Sequence, residues 1–154
     1  MDSIKKIASF TVNHETLRPG IYISRKDSET VTYDLRTRIP NTDDLMDNST
    51  MHSLEHMFAT YIRNSEISND VVYFGPMGCQ TGFYLLVNGK TNEEILLAVK
   101  DTLAKIIAHK GDIFGKSAVE CGNYKNLSLE KAKSEAKRYL DVLNSKESWD
   151  FLYE

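Results

Sequence analysis

The spacing of hydrophobic positions changes along the chain, and the changes outline its elements. From 30 to 39 the residues alternate: Val31, Tyr33, Leu35 and Ile39 point one way, Thr32, Asp34, Arg36 and Arg38 the other. That two-residue period predicts a half-buried strand. Residues 21–25, just after the Pro19-Gly20 turn signal, form another β-prone run, and the polar residues 26–29 join the two runs into an expected antiparallel hairpin. Over residues 50–63 the period lengthens to three and four. Leu54, Met57, Phe58, Tyr61 and Ile62 then share one helical face, and Asp47, Asn48, Ser49 and Thr50 each offer an oxygen to cap the open amides.

Two further apolar runs, 71–74 and 83–87, flank Gly75-Pro76-Met77-Gly78-Cys79-Gln80-Thr81-Gly82, and Asn88-Gly89 closes the second with a turn. Thr91-Asn92-Glu93-Glu94 has the capping-box form and opens a helix through Ile95, Val99, Leu103, Ile106 and Ile107 that stops near Lys110-Gly111. Residues 127–145, rich in Ala, Leu, Lys and Glu, predict a last helix. Residues 7–12 suggest a short strand or extended arm, and 111–126 an irregular stretch with room for a strand. The aromatic tail 149–153 is expected to dock on the body or on a partner subunit. Hairpins rather than regular crossovers, with helices between and after them, predict an α+β fold: an antiparallel sheet covered by helices.

The chain has 154 residues, 41% of them hydrophobic and 27% charged, which suits one soluble domain over 1–154. The net charge of −3 comes with no long run of one sign. That argues against a nucleic-acid partner and offers no polybasic patch for a membrane. Residues 1–7 lack the apolar core of a signal peptide and no later run could span a bilayer, so a cytoplasmic location is expected. In a reducing compartment Cys79 and Cys121 are expected to be free thiols or metal ligands, not a bridge.

The chemistry concentrates on the helix at 50–63. His52 and His56 stand one turn apart, so both imidazoles can aim at one point, and Glu55 stands beside them in the H-x-x-E-H order. Two imidazoles suit a borderline divalent metal, and a neighbouring carboxylate suits proton transfer. Catalytic metal sites usually add a third protein ligand and leave one position open. Cys121 is the best candidate, since a thiolate binds Zn or Fe(II) and Gly122 lets the backbone bend there; a small buried side chain is the alternative.

Cys79 lies in a glycine-bounded turn, where it is either an inert turn residue or a thiol beside a cleft. Near a cationic centre such a thiol would ionise readily and act as nucleophile or proton-transfer base. Arg36 could hold a substrate carboxylate or hydroxyl, although a strand arginine usually faces solvent. His14 is by default a surface residue with a local hydrogen bond. Two other assignments remain open: an H-x-x-E-H protease, and a closed structural zinc site of His52, His56, Cys79 and Cys121.

Taken together, Ser9-Phe10-x-x-Asn13-His14, Asp34-Leu35-Arg36, His52-Ser53-Leu54-Glu55-His56, residues 75–84 and Cys121-Gly122 resemble the S-ribosylhomocysteine lyase family, which makes the precursor of autoinducer-2. The Pro-Met-Gly-Cys-x-Thr-Gly run is its most specific part. The resemblance implies an α+β homodimer with active sites at the interface. It implies one Fe(II) per subunit, replaceable by Zn or Co, on His52, His56 and Cys121. Cys79 and Glu55 would be the acid/base pair, and Ser9, His14 and Arg36 would hold S-ribosylhomocysteine, reaching in from the partner subunit in some cases. The implied reaction moves a carbonyl along the ribose from C1 to C3 and then expels homocysteine by β-elimination. It leaves 4,5-dihydroxy-2,3-pentanedione.

Overall fold

In the computed structural model, which describes residues 3–153, β1 (Gly20–Asp27) and β2 (Thr30–Arg36) form the expected hairpin, with Tyr22 opposite Asp34 and Ile23 opposite Tyr33. Met1 and Asp2, part of the stretch read above for a leader, and Glu154 lie outside the described residues. β4 (Gly82–Asn88) pairs antiparallel with the other side of β2, and β3 (Val71–Pro76) pairs with β4, so the sheet runs β1-β2-β4-β3. Glycine is needed where β4 meets Arg36, because a Cβ on Gly82 would lie 2.6 Å from the Leu35 carbonyl oxygen.

Alternation along β2 and β4 gives the sheet two faces. Tyr33, Leu35, Phe83, Leu85 and Val87 lie on one face, all buried, and join the core formed with α1 (Asn48–Ile62), α2 (Asn92–Ala108) and α3 (Leu129–Asn144). The α+β fold with helices over an antiparallel sheet is therefore as expected. The apolar face of α1 seats it: Leu54, Met57, Phe58 and Ile62 are buried. Phe58 stacks on Phe74 at 4.3 Å between ring centroids, and Phe74 on Phe83 at 5.2 Å, an aromatic column from α1 through β3 to β4. Each such side chain stabilises the fold by roughly 1.5–3 kcal/mol, so packing rather than helix propensity holds α1 in place. Thr91 and Glu94 make the expected capping box on α2.

The other face of the sheet corrects the sequence reading. Asp34 and Arg36 are only 1% and 2% exposed. The tail supplies part of the cover. Ile23 N–H donates to the Phe151 carbonyl at 2.8 Å, the Phe151 ring meets Tyr33 edge-on, and Tyr153 stacks on Tyr22 at 4.9 Å. The tail thus docks on its own body, crossing the edge of β1 from the helix side to the opposite face. β2 also stops at Arg36, three residues sooner than the alternation suggested. Beyond it Arg38 reaches α3, where both oxygens of Glu135 accept its guanidinium at 3.0 and 2.5 Å. Ile39, expected on the inner face, is more exposed.

Two looser expectations are narrowed. Residues 7–12 hold a short 3₁₀ turn, Ala8–Thr11, in place of a strand, closed by Thr11 Oγ1 donating to the Ala8 carbonyl at 2.7 Å. Residues 111–126 carry no strand and end in a 3₁₀ turn at Tyr124–Asn126.

Asp47 is the cap of α1. Its carboxylate accepts from Lys131 Nζ at 2.9 Å and from the Thr50 amide at 2.7 Å. These bonds, the lysine's first, lower its carboxyl to about 2. Asp47→Ala should destabilise the protein by about 1 kcal/mol near neutral pH. Because the folded-state value is depressed, the charged part of that contribution is complete above the ordinary carboxyl value of about 4 and fades as pH falls toward the folded value. Thermal melts of the parent and Asp47→Ala should therefore draw closer on acidification. A gap that stays constant would show that the charge of Asp47 contributes nothing.

Candidate metal centre

His52 and His56 project from α1 on the side away from its buried stripe, both half-buried, with rings edge to face at 4.7 Å. Each ring is fixed through Nδ1. That of His52 lies 2.8 Å from Asn126 Oδ1, and that of His56 lies 2.8 Å from the Phe114 carbonyl oxygen. A carbonyl oxygen only accepts, so Nδ1 carries the proton and Nε2 keeps its lone pair. This is the arrangement of metal-ligating histidines, in which a second partner sets tautomer and ring orientation.

The segment that supplies Asn126 also delivers Cys121. Ser49 Oγ donates to the Asn126 carbonyl at 2.6 Å, Ser53 Oγ accepts the Ser128 amide at 2.8 Å, and Leu127 is buried between them. These bonds stitch residues 126–128 to the first turns of α1. Cys121 Sγ then sits 3.4 Å from His52 Nε2, and the Asn123 amide donates to the sulfur at 3.4 Å. One ligand atom each from His52, His56 and Cys121 lies within 4.8 Å of the others. Two imidazole nitrogens and a sulfur so placed fit a borderline or soft divalent cation and leave room for a further ligand.

Glu55 faces the same side of α1, in a hollow shared with His56, Phe74, Phe114 and Glu120. Gly115 forms part of its wall and has a left-handed φ of 72°. A Cβ there would come 2.8 Å from His56 Nδ1. Only glycine allows both that backbone and the approach of the ring to the Phe114 carbonyl.

Ser9, His14, Arg36 and Cys79 line a second hollow, together with Phe10 and Tyr84. His14 Nδ1 is 2.9 Å from the Val12 carbonyl, the local bond expected of it. Cys79 Sγ lies 3.0 Å from Thr81 Oγ1 and 3.9 Å from an Arg36 nitrogen, and that same nitrogen donates to Thr81 Oγ1 at 2.8 Å. With the guanidinium on one lone pair of Thr81, the hydroxyl proton is free to point at the sulfur. The closed four-ligand site is therefore not what the chain forms, because Cys79 stands with Arg36 and Thr81 and not with the histidines. Both cysteines are free thiols, as expected. The two hollows share no lining residue.

Sequence reasoning missed the supports: Asn126, the Phe114 carbonyl, Gly115 and Thr81. Thr81 lay inside a motif already singled out, and Gly115 was one glycine among several in an irregular stretch. Nothing local marks Asn126. Among the described residues, no helix is long and apolar enough to cross a membrane.

The family model for S-ribosylhomocysteinase (LuxS) matches residues 7–149. Among known proteins the chain is similar to the S-ribosylhomocysteine lyase of Finegoldia magna, with 43% identity over 97% of this chain and 99% of that one. It is 45% identical to the S-ribosylhomocysteine lyase of Borrelia garinii subsp. bavariensis, over 92% of this chain and 94% of the relative. Identity to that of Clostridium beijerinckii is 44%, over 91% and 92%.

Gly115→Ala should push the His56 ring off the Phe114 carbonyl. Affinity for a divalent ion should fall about 10–100-fold, the usual cost of a lost supporting bond, while the melting temperature changes modestly. Competition with a chromophoric chelator measures this, and an unchanged affinity would show that the Phe114 contact does not orient the ring.

Proposed function

The chain belongs to the S-ribosylhomocysteinase family, and from that premise we propose that it is a metal-dependent carbon–sulfur lyase acting on S-ribosylhomocysteine. The products are homocysteine and 4,5-dihydroxy-2,3-pentanedione. The observation that carries this reading is the meeting of His52, His56 and Cys121, with Nδ1 of both rings already engaged.

These three residues would hold one Fe(II) per subunit, with Zn or Co able to replace it. When bound, such an ion supplies Lewis acidity, which makes the C–H beside a sugar carbonyl acidic without any change of oxidation state. The remaining work falls to side chains. Arg36, Ser9 and His14 hold the open-chain sugar beside Cys79. The Cys79 thiolate takes the proton from C2 and returns it to C1, while Glu55 carries a proton between the two oxygens, and the carbonyl moves from C1 to C2. The same pair repeats the exchange to bring the carbonyl to C3. Removal of the C4 proton then breaks the C5–S bond, and the electron pair leaves with the homocysteine sulfur. Arg36 suits this scheme as a buried cation that favours the charged thiolate. Glu55 suits it because it has no hydrogen bond or ion pair among the described residues and is free to exchange protons.

Within one chain the hollow lined by Glu55 and His56 and the hollow lined by Cys79 have separate walls. This supports a homodimer in which Ser9, His14, Arg36 and Cys79 of one copy face the metal ligands of the other. Ile7 and Phe10 beside the second hollow, and Val72 and Tyr73 on the outer strand, leave apolar surface exposed for such a contact. The absence of a membrane-spanning helix among the described residues and the free thiols suit a cytoplasmic enzyme.

Anaerobically purified protein supplied with S-ribosylhomocysteine should release homocysteine, detectable as free thiol; no release would overturn the assignment. Cys79→Ala and Glu55→Gln should keep the metal and lose turnover, whereas His56→Ala should lose the metal. Retained turnover in either of the first two, or a full metal complement in the third, contradicts the roles given. Mixing Cys79→Ala with His56→Ala after subunit exchange and adding metal should restore about a quarter of wild-type activity, because half the dimers are mixed and each has one intact site. Without recovery in demonstrably mixed dimers, each site belongs to a single chain.

A further inference from the structure

We infer that Tyr153, in the C-terminal tail, is a positioning residue for Cys79, acting through the buried pair Asp34 and Arg36. The inference rests on the reading of Cys79 as the proton-transfer thiolate. The contacts form a continuous chain. Tyr153 OH donates to Asp34 Oδ2 at 2.7 Å, and Arg36 donates to that same oxygen at 2.5 Å. The other end of the guanidinium donates to Thr81 Oγ1 at 2.8 Å and lies 3.9 Å from Cys79 Sγ. Asp34 Oδ1 and Arg36 Nε have no partner among the described residues. The carboxylate therefore relies on two donors, both on one oxygen, and one of them comes from the tail.

Their depth makes this sharing matter. Water cannot replace a lost donor at a carboxylate 1% exposed. Without the tyrosine hydroxyl, Asp34 is left with Arg36 alone. A buried carboxylate short of donors draws more strongly on the one that remains. The guanidinium then moves toward Asp34 and away from Thr81 and Cys79, and the thiolate loses part of its counter-charge. Tyr153 suits the role because its phenol stays protonated: burial first, and then the charge of Asp34, raise it well above its usual range. The ionisable groups around Cys79 are His14 from the N-terminal segment, Arg36 from β2 and Tyr84 from β4, with Asp34 behind the arginine. The tail's hydrogen bond goes to the last of these, and its phenol is also within electrostatic reach of Arg36.

The test is the pH profile of Cys79 alkylation by iodoacetamide in the metal-loaded protein, followed on the Cys79 peptide by mass spectrometry. Tyr153→Phe keeps the ring that stacks on Tyr22 and removes only the hydroxyl. Its profile should move to higher pH by about half to one unit, a three- to tenfold slower reaction below the wild-type midpoint. kcat should fall over the same pH range, with metal content unchanged. Trp149→Phe, which loses the bond from the indole to the Leu143 carbonyl, loosens the tail without touching the hydroxyl and should leave the profile in place. Coincident wild-type and Tyr153→Phe profiles, or equal shifts in both variants, would overturn the inference and leave the lyase assignment standing. If wild-type Cys79 reacts like an ordinary free thiol and no homocysteine forms, the reading of Cys79 fails and takes the inference with it.

Discussion

Two hydrogen bonds, from Nδ1 of His52 to Asn126 and from Nδ1 of His56 to the Phe114 carbonyl, decide what the centre can do. They leave both Nε2 lone pairs free and turn them toward one sulfur. Each depends on a separate piece of the fold. Asn126 is where it is because Ser49 and Ser53 hold residues 126–128 against α1. Phe114 is where it is because the loop after α2 can turn at Gly115 and lie against the ring. Both require α1 to be seated correctly, which the aromatic column of Phe58, Phe74 and Phe83 ensures. Apolar packing thus fixes the helix, polar contacts fix the rings, and the rings define a place for a cation.

The second hollow follows a different logic. Its arginine is buried with an aspartate, and burial works against the guanidinium's charge. The charge of Asp34 and its hydrogen bond outweigh that cost, so Arg36 stays firmly protonated. This permanent cation lies 3.9 Å from Cys79 Sγ, with the guanidinium held away from water and the sulfur open to it. Water would weaken the same pair on an open sheet face. The tail and the N-terminal segment, by covering that face, change an ordinary strand arginine into a buried cation beside a thiol.

Much of this was legible in the sequence, and the failures have a common cause. The strands, α1, α2 and α3 follow from local periodicity and caps, which the chain states within a few residues. The His52–Glu55–His56 group was legible for the same reason, since helix geometry alone brings it together. The alternation along β2 correctly assigned Asp34 and Arg36 to one face, but period says nothing of what covers a face. That cover comes in part from Tyr153, more than a hundred positions away, and in part from the N-terminal segment around Ser9 and His14. Cys121 could be named from its chemistry but not placed by spacing, because its position depends on bonds between the start of α1 and residues 126–128. The β-prone residues 7–12 suggest a short strand or an extended arm, yet the segment turns back on a local Thr11 bond. Where the answer lay in contacts between distant segments, as for Asn126 and the Phe114 carbonyl, neither period nor resemblance pointed to it.

The central claim is that His52, His56 and Cys121 of one chain bind a single divalent ion. X-ray absorption at the metal edge of the isolated protein addresses it most directly, since scattering by nitrogen near 2.0–2.1 Å and by sulfur near 2.3 Å is readily separated for a zinc-loaded sample, about as known for such ligands. The expected spectrum has one sulfur and two imidazoles per metal, with the sulfur lost in Cys121→Ser and kept in Cys79→Ala. A metal shell with no sulfur, or with two, would contradict the account.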